Sequence, residues 1–338
     1  MEQGRLLSGV LLAAMLGSVA LAGGPLGPPM SVLTPEQWTI DAGYYHEELG
    51  LSGCAEVREH YREWDFGSGP DDPNAGWDDW ELLDVWDQTV SLEDLKINAY
   101  MASLEYGLCE NWDLIVRLGA TSAKGDVVGA ETYWNWDYDP NRPDYDGEWV
   151  TDVWRDSLDF GTGFAWQIGT AFTICQSGRW TWGGRMQFGM ADAGSGSASY
   201  SETSVEEEDG YEYVYHEDEV VTGDLSWWQA VAYIGPSYQV NETLQLYAAG
   251  GWQTLRATLD VTCLTTATES YIYGEDEEEV LYLEEYRDSG SYKLKHASPI
   301  GVFGAAWTPR DNLSLAVDVL IGDSGKWGVG VSGAWALN

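Results

Sequence analysis

Leu158-Asp159-Phe160-Gly161-Thr162-Gly163-Phe164-Ala165-Trp166-Gln167-Ile168-Gly169-Thr170-Ala171-Phe172 alternates between two kinds of residue. Even positions carry Leu158, Phe160, Thr162, Phe164, Trp166 and Ile168; odd positions carry Asp159, Gly161, Gly163, Ala165, Gln167 and Gly169. A period of two sorts these onto opposite faces of a strand, whereas a helical period scrambles them. The run therefore reads as a strand with one apolar face and one small or polar face.

The pattern recurs on both sides of this stretch. In 112–120, Leu114, Val116 and Leu118 oppose Asp113, Arg117 and Gly119; in 180–190, Trp182, Met186 and Phe188 oppose Thr181, Arg185 and Gln187. Further copies lie at 228–238, 244–253, 313–321 and 327–337, with weaker ones at 38–46, 100–106 and 297–307. The total is about ten, an even number, as in single-chain membrane barrels. Connections alternate between short (107–111, 173–179, 239–243, 308–312) and long (about 47–95, 121–157, 191–224, 257–296). Tight turns at one end and extended loops at the other are the asymmetry of a transmembrane barrel. Trp38, Tyr106, Trp112, Phe172, Trp180, Tyr238, Trp307 and Trp335 all flank the short connections, as an interfacial girdle would.

The remaining composition agrees. Trp (19), Tyr (20) and Gly (40) are abundant while Lys plus Arg total 16, which suits strands and turns. Residues 1–22 read as an export signal: Arg5, an apolar run over 6–21, and the small-residue site Ala20-Leu21-Ala22 before Gly23. No later run is long and apolar enough for a spanning helix, so membrane insertion must use strands. The formal charge of -40 argues against nucleic acid and anionic lipid headgroups as direct partners and in favour of cations. The expected fold class is all-β, a closed antiparallel up-and-down transmembrane β-barrel of about ten strands with short periplasmic turns and long extracellular loops. Its expected divisions are the signal 1–22, a periplasmic segment 23–37 and the barrel 38–338.

The turn-then-alternation units Asn241-Glu242-Thr243-Leu244-Gln245-Leu246 and Asp311-Asn312-Leu313-Ser314-Leu315, with the final strand 327–337, resemble those of single-chain bacterial outer-membrane β-barrels over nearly the whole mature chain. The resemblance implies outer-membrane lipid and the barrel-assembly machinery as partners. It also implies a terminal aromatic residue, from which this chain departs by ending Trp335-Ala336-Leu337-Asn338.

Candidate functional residues fall into four sets. The first is a lumen-facing polar cluster of Glu105, Arg117, Asp159, Arg185 and Asp318, which with Tyr233 and Tyr247 reads as a packed, hydrogen-bonded plug, with a thin pore for small solutes or cations as the alternative. The second is carboxylate-rich loops able to hold calcium or magnesium, or a surface ligand: Asp137, Asp139, Asn141 and Asp146, which lack the glycine and closing glutamate of a calcium loop, then Glu206 and Glu207, then Glu277 and Glu278. The third is Cys109 with Cys175 at short turns and Cys54 with Cys263 in long loops, two pairings open to disulfides in an oxidising compartment. The fourth is catalysis, for which only His46, His60, His216 and His296 offer imidazoles, and no nucleophile is evident beside them. Trp80, Leu83, Trp86 and Val90 at helical spacing predict a short helix over 78–95 capping the mouth.

Overall fold

The structure, a computed structural model, describes residues 26–65, 76–135, 148–208, 211–273, 277–323 and 326–337. The expected signal 1–22, its cleavage site and the segment 136–147 lie outside the described residues.

Period-two sequence gives strands throughout. They are β1 (Trp38–Asp65), β2 (Gly76–Trp77), β3 (Glu81–Cys109), β4 (Trp112–Asn135), β5 (Glu148–Ser177), β6 (Trp180–Glu208), β7 (Tyr211–Gln239), β8 (Leu244–Tyr273), β9 (Glu277–Arg310), β10 (Leu313–Gly322) and β11 (Trp327–Leu337). Apart from β2, a two-residue pairing on the end of β1, each strand is antiparallel to the next. β11 returns to β1 from Trp38↔Leu337 to Glu48↔Trp327, so ten strands close a ring.

Strand length departs from expectation. β6 and β7 each run 29 residues. At about 3.3 Å per residue and a tilt near 40°, such a strand stands about 70 Å tall, far more than the ~25 Å of an apolar membrane belt. Most of what reads as long loop in the sequence is therefore wall: Cys263, Glu206, Glu277 and the acidic stretch 217–219 all sit in paired strands. The expected capping helix over 78–95 is β3, with Trp86↔Val57 and Val90↔Gly53 in register; no helix occurs among the described residues.

The barrel narrows along its length. β10 and β11 are only 10 and 11 residues long. Above their ends β1 pairs instead with β9, from Ser52↔Lys295 to Glu63↔Glu284. Ten strands near the short turns thus become eight at the far end.

The two parts have opposite faces. Around the ten-stranded part the outside is apolar: Phe164 is 59% exposed, Met186 55%, Leu315 41%, and Val116, Ile168 and Val317 are exposed beside them. The expected girdle forms at its lower rim, with Trp38 against Tyr106 (4.4 Å between ring centroids) and Trp180 against Tyr238 (4.8 Å). A second aromatic row closes the upper rim, with Tyr44 beside Tyr100 and Trp327 beside His46. Around the eight-stranded part the outside carries Ser197, Ser199, Thr222, Asp224, Asp260 and Lys293, while Leu92, Leu158, Phe160, Leu225, Leu255 and Leu259 fill the inside at 1% exposure or less. The expectation of a glycine-lined polar middle holds for the lower part only. In the upper part wall residues meet water outside, so burial drives the apolar side chains inward.

Candidate functional site

The lumen of the ten-stranded part holds the polar cluster. β3 supplies Glu105, β4 Arg117, β6 Arg185 and β10 Asp318, all buried. Arg117 donates from Nε to Ser103 Oγ at 3.0 Å and from Nη1 to Gln167 Oε1 at 2.8 Å, and its Nη2 lies 3.7 Å from Glu105 Oε1. Arg185 Nη2 reaches the same Glu105 oxygen at 3.3 Å. Glu105 thus bridges two guanidiniums from neighbouring parts of the wall, while Asp318 accepts from the Tyr247 hydroxyl. Charges taken out of water persist only when paired and hydrogen-bonded in this way.

Asp159 does not join them. It is exposed and faces outward, 3.6 Å from Lys124 Nζ. The cause is a bulge: β4 residues Ser122 and Ala123 pair with Thr162 and Phe160, leaving Gly161 as an extra residue in β5. One inserted residue transfers every side chain beyond it to the other face. Hence Ala165 and Gln167 point inward below the bulge, and Leu158 and Phe160 above it. Similar irregularities occur between Leu49 and Leu51, Glu93 and Lys96, and Asp192 and Ser195.

The structure adds an element that alternation cannot reveal. The segment before β1, expected to be a periplasmic tail, enters the lumen from the short-turn end, burying Leu26, Met30 and Leu33. Barrel side chains hold its backbone: Asp318 Oδ2 accepts from Gly27 N at 3.0 Å, and Asp113 Oδ2 accepts from Val32 N at 2.7 Å. Tyr233 donates to Leu26 O at 2.7 Å, and the Ser31 hydroxyl donates to Asp113 Oδ1 at 2.8 Å. Gly27, at φ +75°, lies so close to the Arg185 guanidinium that a Cβ would overlap it. Gly107 stands in the same relation to the Thr34 carbonyl, which lets the segment bend around the rim. A cavity of about 520 Å³ remains below, lined by Asp41, Glu105, Arg117 and Arg185 together with this segment.

Above the cluster the lumen is bridged by Glu47, which accepts from Gln253 and, at 3.4 Å, from Gln229. The apolar core follows directly. Above the lower cavity, side chains therefore occupy the bore into the eight-stranded part.

The other expected sites separate in space. Glu206 pairs in register with Tyr213, Glu207 with Glu212, Glu277 with Tyr273 and Glu278 with Ile272, so these residues lie on strand ends. Asp137, Asp139, Asn141 and Asp146 fall outside the described residues. Among the described residues no three His, Cys, Asp or Glu side chains come together as metal ligands would.

All four thiols are free. Cys54 faces outward on β1 whereas Cys263 packs against the interior core on β8, so the wall separates them. β4 lies between the strands bearing Cys109 and Cys175. Two interstrand spacings, about 9–10 Å, exceed the ~7 Å between Cα atoms that a disulfide spans.

Among the imidazoles, His216 contacts Thr203 Oγ1 at 2.8 Å and Asp218 Oδ2 at 3.1 Å on the outer surface. The hydrogen bond from Ser201, then that from His216, hold the Asp218 carboxyl below its ordinary range. His296 has Ser298 Oγ at 2.8 Å on one nitrogen and Lys326 Nζ at 2.8 Å on the other. A lysine in that place does not orient an imidazole as a base, the task a carboxylate performs in a hydrolytic triad.

No family model matches the chain, and no curated protein matches it. Solved structures that match include the outer membrane protease OmpT from Escherichia coli, at 9% identity over 90% of this chain and 96% of that one with a TM-score of 0.38. The attachment invasion locus protein Ail of Yersinia pestis matches at 11% over 90% and 100% (TM-score 0.26), and the translocator domain of autotransporter NalP from Neisseria meningitidis at 11% over 99% and 94% (TM-score 0.28). Likenesses of this extent leave the class to rest on the chain's own features. A closed up-and-down barrel with an apolar, aromatic-rimmed outer belt, short turns at one end and a polar lumen is the architecture of a transmembrane β-barrel, and this chain has it.

Proposed function

We propose that the protein is a sealed pedestal: a lipid-anchored barrel that displays a rigid, acidic, eight-stranded upper barrel at the cell surface for contact with cations or a positively charged partner. The observation that carries this reading is the apolar core across the upper lumen, where Phe160, Leu255 and Leu259 are at most 1% exposed. A bore packed with aliphatic and aromatic side chains passes neither water nor ions. What faces outward beyond the belt is largely polar, with Leu83, Val85, Val153, Val205 and Val220 as exposed exceptions, and, in keeping with the net charge of -40, rich in carboxylates. Such a surface recruits calcium or magnesium at its acidic strand ends and speeds encounter with basic ligands.

Planar-bilayer recording tests it. The purified barrel is expected to give a silent bilayer, and a variant lacking residues 26–33 is expected to stay silent because the upper core remains. Steady cation-selective steps from the intact protein contradict the reading and favour a narrow channel.

A further inference from the structure

Above the apolar core the upper barrel holds a second cavity, open to solvent, of about 420 Å³. Its floor is Val57, Val221 and Val261, and the rings of Trp86, Trp154 and Tyr292 stand in its walls. Asp156, Glu219 and Asp288 also face it. Neutral groups meet the first two: the Tyr200 hydroxyl at Asp156, and the Cys263 thiol, whose Sγ lies 3.0 Å from Glu219 Oε1. The hydrogen bond to Asp156, then burial, push the Tyr200 phenol up to about 12; burial and then Glu219 raise the Cys263 thiol. Both donors therefore keep their protons near neutrality and bring no positive charge. The guanidinium at the cavity's edge, Arg155, is turned to the outer face, 2.6 Å from Glu93 and 2.9 Å from Asp126.

Two more features bear on what the cavity accepts. Trp86 Nε1 is buried without a hydrogen-bond partner. An indole N–H in that position favours an acceptor atom on whatever enters. Aromatic faces beside carboxylates attract a cation with an apolar surface more strongly than a hydrated metal ion, since ring quadrupole, full charge and apolar contact act together. The volume lies in the range of small-molecule sites.

We infer that the upper cavity is a binding site for a small organic cation, an ammonium compound carrying an oxygen acceptor, held by Asp156 and Glu219 between Trp86, Trp154 and Tyr292. The inference goes beyond the sealed-pedestal reading and shares with it the apolar core that floors the cavity; single-channel steps from a barrel that still shows one saturable choline site would fail that reading alone.

Calorimetric titration of the full barrel in detergent with choline tests it, with the uncharged isostere 3,3-dimethylbutan-1-ol as the matched control. One saturable site is expected. It should weaken at least tenfold in Asp156→Asn/Glu219→Gln and in Trp154→Ala, stay unchanged in Asp260→Asn on the outer surface at similar height, and not be competed by the isostere. Heat-modifiable migration confirms that each variant is folded. Absence of a saturable site, equal affinity for the isostere, or binding that survives the double substitution overturns the inference, the last by placing choline away from Asp156 and Glu219.

Discussion

The ten-stranded and eight-stranded parts of this barrel are built from the same strands yet solve opposite problems. β8 passes from one to the other without a bulge: its odd positions stay inside throughout, reading Tyr247, Ala249, Gly251 and Gln253 below, then Leu255, Ala257, Leu259 and Val261 above. Its even positions turn from Leu246 and Trp252 to Arg256, Thr258 and Asp260. Hydrogen-bonded geometry is constant along the strand, so the solvent outside decides which face is apolar. In lipid the greasy side chains face out and the enclosed charges pair with each other; in water the same wall turns its apolar side chains inward and becomes an ordinary packed core.

The sharpest ways to break this comparison are substitutions matched across the boundary. Arg117→Leu leaves Glu105 with only one of its two guanidiniums in the lower lumen and is expected to cost about 3–5 kcal/mol, the penalty for breaking a buried ion pair. Phe160→Ala, in the upper core, is expected to cost a comparable ~3–5 kcal/mol through cavity formation. Urea unfolding of refolded protein measures both, and a loss under about 1 kcal/mol for Phe160→Ala would mean that the upper barrel is not a packed core. On the outside the contrast reverses. Val317→Lys puts a charge into the apolar belt and should cost about 2–4 kcal/mol. Ser197→Lys, outward on the upper barrel opposite Thr222, should stay within about 0.5 kcal/mol in the same assay. Equal losses at these two positions would erase the boundary.

Much of the lower part is legible in the sequence. Alternation at 112–120, 164–172 and 313–321 marks the lipid-facing side chains, and the aromatic pairs beside the short turns mark the rim, because lipid and interface each impose a composition on one face. The polar cluster is legible for four of its five expected members. Asp159 misleads because an extra residue at Gly161 changes the register, and a bulge leaves no mark in a binary pattern. The upper strands are hidden for a related reason. Their outward residues are mostly Thr, Ser, Asp and Glu, which read as loop unless the inward residues are also known to pack together. Trp80, Leu83, Trp86 and Val90 fit a helix by spacing, yet Trp86 and Val90 share the inner face of β3 two residues either side of Gln88. The plug at 26–33 has no periodicity at all, and only three-dimensional contact with Asp113, Asp318 and Tyr233 assigns it.

Nitroxide scanning along β8, in a background with the native cysteines replaced by serine and the protein in lipid vesicles, tests the inversion most directly. Labels at Leu246, Ala248 and Trp252 are expected to collide with lipid-dissolved oxygen, and labels at Arg256, Thr258 and Asp260 with a water-soluble nickel reagent, the change falling between Trp252 and Arg256. Oxygen accessibility that continues through Asp260 would contradict the account, because the outer face would then still be in hydrocarbon where the inner face is apolar.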